Sequence, residues 1–542
     1  MFIVHCILCF RSNQNIIRIR SRKYEHNVSL NKYNIIFLQK IKIVSRASLL
    51  AKIQAEIIGK QLEDRYPELE IEYHTTTSIA DRDMEINIAK SDSIGLFTKD
   101  ISDKIINKKY DIAIHSWKDV PVEPSSKTEI IGTIERGDLR DVLIIKKDIF
   151  ENKKKEVFQI LSSSPRRKHN LQIYLAKLVP FNFDRLTFLD VRGNIETRLR
   201  KFVQGDSDGI IMAKVAIDRI LESNDNRAIE FIKNIISKNK WIILPLSIFP
   251  TAPGQGAIGI EARKDRKDLK ILINKISNKV VFDNVLKEKN ILSKYGGGCQ
   301  QKIGVSMYSQ NGRTIFCMKG KSEQGDDINE HDFFNQGSDK NFKSVPQKLL
   351  YPLQDDKNLF HRVQILNNEK ITRLTDSFIY ISRKNVLDNG PKLKDSNYLW
   401  TSGLKCWYHA VKKGYWINGS SDSMGNHKIK DLKNFVPEQI SRYNLSHSKA
   451  ISNNYELIPT YELKINKDIL DNLSIRGKKY FYWMSPVQFE VVVERYPEIL
   501  DANHSSGFGK TFDYLKTKLP NPDAIGCFLS YEHWLSYYKK RE

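Results

Sequence analysis

The sequence predicts an α/β fold. From Ile41 onward, short apolar runs alternate with amphipathic helical stretches, the pattern of strands and helices packed in layers. Several apolar runs end in Ser, His or Asp, the arrangement at the ligand-binding edge of open α/β sheets. At 542 residues the chain is too long for one core, and domain-size statistics favour about three or four domains.

Taken in order, residues 2–10 (FIVHCILCF) form a short apolar run, and 11–40 are rich in Arg, Lys, Asn and Ser with Glu25 the only acid. Residues 1–40 are therefore expected to be a targeting leader rather than a folded domain. The apolar run is too short to span a bilayer, no later segment is long enough without charges, and no membrane partner is expected. IKIVS (41–45) reads as a strand. Ser48 starts a helix through about Arg65, with Leu49, Ile53, Ile57 and Leu62 near one face. Alternation at 69–73 gives the next strand, and DIAIHS (111–116) a buried strand with polar residues at its end. Residues 306–360 are polar and irregular, and SEQGDDINEHDFFNQGSDK reads as an insertion or mobile loop. Beyond 366, FIYISRK and YLWTSGLKCWYHAVKKGYWINGS read as strand-then-helix units, followed by YELIPTYEL, KKYFYWMSPVQFEVVVERYP and GCFLSYEHW.

A formal charge of +23 raises nucleic acid as a partner. The lysines, however, are spread along the chain while arginines sit in short motifs almost without aromatics, unlike a base-stacking surface. No nucleic-acid partner is expected. Cysteines lie at 6, 9, 299, 317, 406 and 527. Cys6 and Cys9 form a CxxC without a second ligand pair, and the rest lack metal-ligand spacing, so neither disulfides nor a metal are expected.

Certain residues carry chemistry. Cys299 closes the run YGGGC, where Gly296, Gly297 and Gly298 permit positive φ and close backbone approach. It reads as an attachment point or as a buried thiol beside a glycine turn. Asp119 follows Lys118 at the end of an apolar strand, where an ion pair would keep it charged; a strand-end cap is the alternative. Arg46, Arg166, Arg167, Arg192, Arg198 and Arg219 offer planar forks suited to carboxylates, or surface salt bridges. Ser48, Ser162, Ser163 and Ser164 are small donors near strand-to-helix turns. Gly254 and Gly256 flank Gln255 without the third glycine of a dinucleotide site, so they suggest a hinge and close packing.

VSRASLLAKIQ (44–54), IGLFTKDI (94–101), DIAIHSWKDVPVE (111–123), SSSPRRK (162–168), VRGNIETRLRK (191–201), APGQGAIGIE (252–261) and GGGC together resemble, in order and spacing, the hydroxymethylbilane synthase (porphobilinogen deaminase) family over roughly 41–365. The resemblance implies two lobes like those of periplasmic binding proteins, 41–133 with 243–262 and 134–242, joined by two crossing segments. It implies a small third α/β domain, 263–365, carrying Cys299 on a loop facing the cleft. On this pattern Cys299 holds a dipyrromethane cofactor through a thioether, and four porphobilinogen molecules condense head to tail with loss of ammonia. Asp119, beside Lys118, assists proton transfer and stabilises the azafulvenium cation. Arg46, Ser48, Lys99, Ser116, Ser162, Ser163, Ser164, Arg166, Arg167, Arg192, Arg198 and Arg219 hold cofactor and chain carboxylates. The partners are porphobilinogen and linear polypyrroles, and a monomer is expected.

This sequence departs from the family in having Ile94 where a loop lysine is common, and in Val44, Leu161, Pro165 and Lys302. A non-catalytic two-lobed anion-binding module is the rival reading; it would keep the arginines without needing Asp119 and Cys299, which are both present. Residues 366–542 resemble a uroporphyrinogen III synthase-like tail, though short for a two-domain synthase. The leader resembles those of proteins sent to a secondary, relict apicoplast-like plastid, with the mitochondrion as the alternative.

Overall fold

The computed structural model describes residues 16–21, 24–29, 39–76, 99–121, 125–151, 154–296, 301–310, 312–334, 345–353, 359–365, 369–388, 392–422, 432–452 and 454–539. Cys299 and Ile94 lie outside them. In the expected leader, Ile16–Ser21 and Tyr24–Ser29 pair as an antiparallel hairpin, where the sequence suggested no fold.

The first lobe is built on a five-stranded sheet in the order Glu70–Thr76, Lys40–Arg46, Ile112–Ser116, Ile258–Arg263, Thr128–Gly132. Lys40–Arg46 runs parallel to both neighbours, and Ile258–Arg263 returns antiparallel. The helix Leu49–Arg65 covers one face, burying Ile53, Ile58 and Leu62. Ser48 stands at its N-cap, but its hydroxyl makes no cap hydrogen bond. The second lobe is a five-stranded sheet in the order Asn239–Ile243, Asp141–Lys146, Gly209–Ala213, Lys154–Leu161, Asn182–Leu189. The chain crosses between the sheets twice, through 133–140 and 244–257.

Two helices, Lys267–Asn274 and Lys279–Ser293, lead to an antiparallel sheet of Gly304–Gln310, Arg313–Lys321 and Asp327–Phe333. That last strand lies where an insertion or mobile loop was expected. Its polar composition hid it, because an edge strand keeps only Ile328, His331 and Phe333 partly covered and tolerates charge elsewhere. The boundary expected at residue 365 also moves. Leu350–Tyr351 pairs with Tyr480–Trp483, and Phe360–Gln364 with Glu456–Ile465, so the C-terminal region begins before Leu350.

The C-terminal region holds two further sheets. One has six strands in the order Phe360–Gln364, Glu456–Ile465, Arg442–His447, Phe378–Ile381, Tyr398–Thr401, Gly419–Ser420. The other has four: Leu350–Tyr351, Tyr480–Trp483, Asn503–Gly507, Gly526–Phe528. Neither is a tethered appendage. Leu171, Leu175 and Leu178 of the second lobe share one apolar core with Trp407, Ala410 and Val411. Trp241 shares another with Trp400 and Phe435, and Tyr308, Ile315 and Cys317 of the third domain share a third with Phe481 and Trp483. Indole N–H groups fix the seam: Trp407 Nε1 donates to Leu178 O at 3.1 Å and Trp416 Nε1 to Trp241 O at 3.2 Å.

Candidate active site

The carboxyl ends of the two lobes' parallel strands converge on one cleft. Lys40–Arg46 delivers Arg46, Ile112–Ser116 delivers Ser116, and the turn Trp117–Asp119 delivers Lys118 and Asp119. From the second lobe, Ser162–Ser164 follow Lys154–Leu161, and Arg192 follows Asn182–Leu189. Two helices begin there. Ser164 caps Pro165–Leu178 by accepting from Arg167 N at 3.4 Å, with Pro165 in the first turn, and Asn194 caps Ile195–Gln204 by accepting from Thr197 N at 2.9 Å. Both N-termini add partial positive charge to the cleft.

Charge gathers in the cleft. Burial pushes the Lys118 ammonium pKa down, Arg167 and Arg198 push it further, and Asp119 and Asp141 oppose them. Burial also lowers Arg198, as do Arg167 and Arg46, while Asp119 works against them. Arg46, Lys118, Asp119, Arg167 and Arg198 are therefore one electrostatic neighbourhood with four cations and one exposed carboxylate. Asp119 forms no contact ion pair with Lys118, contrary to expectation: the turn exposes the carboxylate while its neighbour is half-buried, so they act on each other only through space.

The adjacent arginines separate. Arg166 is 4% exposed and spends its fork inside the protein, with Nη2 on Asp141 Oδ2 at 2.8 Å and Nη1 on Pro250 O at 2.9 Å. Both of its terminal nitrogens are thus engaged inside the protein. Arg167 donates Nη2 to Asp141 Oδ1 at 2.6 Å, but its buried Nε has no hydrogen-bond partner among the described residues. Burial opposes ionisation of Asp141, yet Arg167 and Arg166 outweigh it and hold its carboxyl well below the usual range.

Other expected ligands have internal work. Ser116 Oγ is joined to Gln54 by contacts of 2.9 and 3.1 Å. Ser163 Oγ donates to Val191 O at 3.0 Å and accepts from Val191 N at 2.8 Å, tying the two strand-end loops together. Ser162 is buried, with its Oγ accepting from Ser164 N at 3.4 Å. Arg219 donates to Gly256 O at 2.8 Å and lies among Asp218 and Glu222, with burial pushing its pKa down to about 10. Through that bond it holds the second crossing segment. Arg198 Nε donates to Gly193 O at 2.7 Å, and Arg192 and Lys99 are exposed.

Sequence reasoning missed a buried polar lattice that joins the crossing segments. Gln255 Nε2 donates to Leu139 O at 2.7 Å and Asp141 Oδ1 at 2.9 Å. Arg136 forms a bidentate pair with Glu288 at 2.8 and 3.0 Å, and Glu288, 0% exposed, also accepts from Gly254 N at 2.7 Å and Met307 N at 2.6 Å. The available signal was the acid-and-arginine run GDLRD ahead of the apolar VLIIK. Among the described residues, no group of three or more His, Cys, Asp or Glu side chains is placed to hold a metal, and no helix is long and apolar enough to cross a membrane.

Comparison with known proteins bears on this cleft. Residues 41–271 match the family described as "Porphobilinogen deaminase, dipyromethane cofactor binding domain", a span that takes in both lobes and both crossing segments. The chain is 30% identical over 341 residues to a porphobilinogen deaminase of Prochlorococcus marinus (strain MIT 9515), covering 61% of this chain and 95% of that protein. It is 33% identical over 270 residues to that of Nostoc sp. (strain PCC 7120 / SAG 25.82 / UTEX 2576), covering 49% of this chain and 76% of the relative. Among solved structures it is similar to the methionine binding protein MetQ, with a TM-score of 0.28 and 11% identity over 46% of this chain and 96% of that one. With nearly the whole of a curated relative aligned and the dipyrromethane-binding domain matched across both lobes, the chain belongs to the porphobilinogen deaminase (hydroxymethylbilane synthase) family, transferases of tetrapyrrole synthesis.

Proposed function

We propose that the cleft condenses four porphobilinogen molecules head to tail into hydroxymethylbilane with release of ammonia. The observation that carries this reading is an exposed carboxylate, Asp119, inside a field of four cations, one of which, Arg167, has an unused buried donor. A dipyrromethane fits such residues, since it presents several carboxylates and an electron-rich ring system. When bound through a thioether to Cys299 it supplies the anchored pyrrole end from which the chain grows. Arg46, Arg167 and Arg198 neutralise acetate and propionate groups, and the capped helix N-termini add backbone donors. Asp119 orients the incoming porphobilinogen, offers its oxygen to the pyrrole N–H and stabilises positive charge developing on that ring as ammonia leaves. A fixed anion does this with little reorganisation. Lys118, its pKa depressed by burial, is suited to exchange a proton near the leaving amine.

The lobes are proposed to be 41–133 with 243–262 and 134–242, followed by a third domain that ends before Leu350. Residues 1–40 are proposed to send the chain to a plastid, which a fluorescent reporter fused behind them reads directly. Intact mass tests the central reading: wild-type protein carries a dipyrromethane adduct and Cys299→Ala does not. An adduct retained by Cys299→Ala overturns it.

For the C-terminal region we propose a uroporphyrinogen III synthase role, favoured by one cluster. Arg383, just past the strand Phe378–Ile381, reaches Met484 O of the other sheet at 3.4 Å. Burial lowers the pKa of His447, and Arg383 and Lys510 add to that effect, so three basic groups gather where parallel strands of both sheets end. Arg383→Gln combined with Lys510→Gln is expected to shift the product from type III to type I isomer at unchanged deaminase turnover. An unchanged isomer ratio removes this role.

A further inference from the structure

The C-terminal region holds the second crossing segment directly. Ile243 N donates to Asn418 O at 2.8 Å as the segment begins. Ser247 follows, buried, and both of its donors go to one carboxylate: Ser247 N to Asp422 Oδ2 at 2.8 Å, and Ser247 Oγ to Asp422 Oδ1. Asp422 takes a left-handed backbone, φ 50°, which non-glycine residues adopt at a cost and which Asp and Asn tolerate best. Asp422 N donates to Ser420 Oγ at 3.0 Å, a local bond that helps hold this conformation.

From Ser247 the path to the cleft is short. A turn closed by Phe249 N on Pro245 O at 2.9 Å carries the chain to Pro250, whose carbonyl accepts from Arg166 Nη1 at 2.9 Å. Phe249, 0% exposed, lies 5.7 Å beneath the Arg166 guanidinium. Arg166 shares Asp141 with Arg167, and Gln255, further along the same segment, binds Asp141 as well. The C-terminal region touches the first crossing segment as well, since the Arg140 guanidinium lies over the Trp400 ring at 5.7 Å.

We propose that Asp422, outside the residues matched to the deaminase family, is a positioning residue for pyrrole condensation. By clamping Ser247 it sets the Pro245–Pro250 turn, hence the Arg166–Asp141–Arg167 group, hence the position of the Arg167 charge beside Lys118 and Arg198. The proposal rests on the deaminase reading of the cleft, and its novelty is that the C-terminal region sets the geometry of that reaction.

The test uses full-length protein and the variants Asp422→Gly and Asp422→Asn. Glycine removes the carboxylate while relieving the left-handed backbone, so lost bonds and relieved strain offset and the melting temperature changes little. Asparagine keeps an acceptor for Ser247 N and offers an amide donor to Ser247 Oγ. In Asp422→Gly, kcat per cofactor-loaded molecule is expected to fall about tenfold at unchanged KM, within the roughly 100-fold that a 1 Å misplacement costs. Amide hydrogen exchange across 245–251 should accelerate in the same variant, and Asp422→Asn should restore both readouts. Wild-type kcat and exchange in Asp422→Gly overturn the proposal, as does activity lost only in proportion to unfolded protein. Wild-type protein without adduct or condensing activity instead overturns the deaminase reading together with it.

Discussion

At the scale of single residues, Asp119 and Arg166 show the two fates of charge near this cleft. Asp119 is exposed, and in the proposed reaction it acts through its anion, so Asp119→Asn is expected to lower turnover by about 10²–10³-fold, with Asp119→Glu retaining more. Steady-state assays at matched cofactor loading check this, and near wild-type turnover by Asp119→Asn would contradict the role. Arg166 is buried on Asp141, which also accepts from Arg167 and Gln255, so Arg166→Leu is expected to cost about 1.5–3 kcal/mol in urea unfolding by removing one charged donor from that buried carboxylate. Arg198→Leu should leave stability nearly unchanged and stall elongation, visible as short-chain adducts by mass. Both arginines stand in motifs legible in the sequence, yet only the fold shows that Arg166 is tied to Asp141, which arrives from a different strand, while Arg198 bonds locally to Gly193 O. Histidine gives a pH test. His504 accepts from Trp483 Nε1 at 2.9 Å through Nδ1, leaving Nε2 against Ile499 O at 3.0 Å, an arrangement that only the neutral ring satisfies. Burial lowers the pKa of His504, as it does for His331 and His447. The unfolded chain then binds more protons below the ordinary value of 6.5, so stability present above that pH is lost as pH falls further. The melting temperature should decline below pH 6.5, and His504→Gln, which can accept and donate in the same places, should flatten the decline; an unchanged slope would remove His504 as a contributor.

At the scale of elements, the strands and helix of the first lobe are legible because apolar spacing and polar strand ends coincide there: the pattern predicts a helix from Ser48 to Arg65, and the helix is Leu49–Arg65. The strand Asp327–Phe333 is not, since an edge strand needs no apolar alternation. The crossing segments lay between these cases. The glycines around Gln255 announced close packing, but the buried bonds that staple the segments, from Gln255 to Asp141 and from Arg136 to Glu288, join residues more than a hundred positions apart. Gly256 combines φ 88° with a backbone approach that would put a Cβ 2.7 Å from Gly137 O. Gly312 has a similar φ, 74°, and open space around it. Gly312→Ala should therefore cost about 1 kcal/mol from backbone strain alone, and Gly256→Ala at least about 2 kcal/mol more from the forced shift. Urea midpoints compare the two, and equal losses would mean that the crossing segments are free to part. Motion during elongation is then expected to bend the chain outside 252–257 rather than within it.

At the scale of the whole molecule, the C-terminal region is part of the deaminase body. The sequence suggested a separable tail because its strand-then-helix units are self-contained in pattern, and pattern says nothing about which outer faces are covered. The faces are covered on both sides of the junction. Leu171, Leu175, Leu178 and Trp241 of the second lobe, with Tyr308 and Ile315 of the third domain, are buried against or within cores completed by C-terminal residues. Exposing a large apolar side chain costs about 1.5–3 kcal/mol, so uncovering even part of this set removes on the order of 10 kcal/mol, comparable to the whole stability of an ordinary domain. A chain ending at residue 365 also strands Leu350–Tyr351 and Phe360–Gln364, whose strand partners are gone. Such a chain is expected to be insoluble or protease-sensitive and to lack bound cofactor, so shortening the protein cannot isolate the deaminase. Soluble yield, limited proteolysis and intact mass of the shortened chain check this directly. A soluble, cofactor-loaded fragment melting near the full-length protein would show that the shared cores contribute little, and with them would go the case that the C-terminal region shapes the cleft.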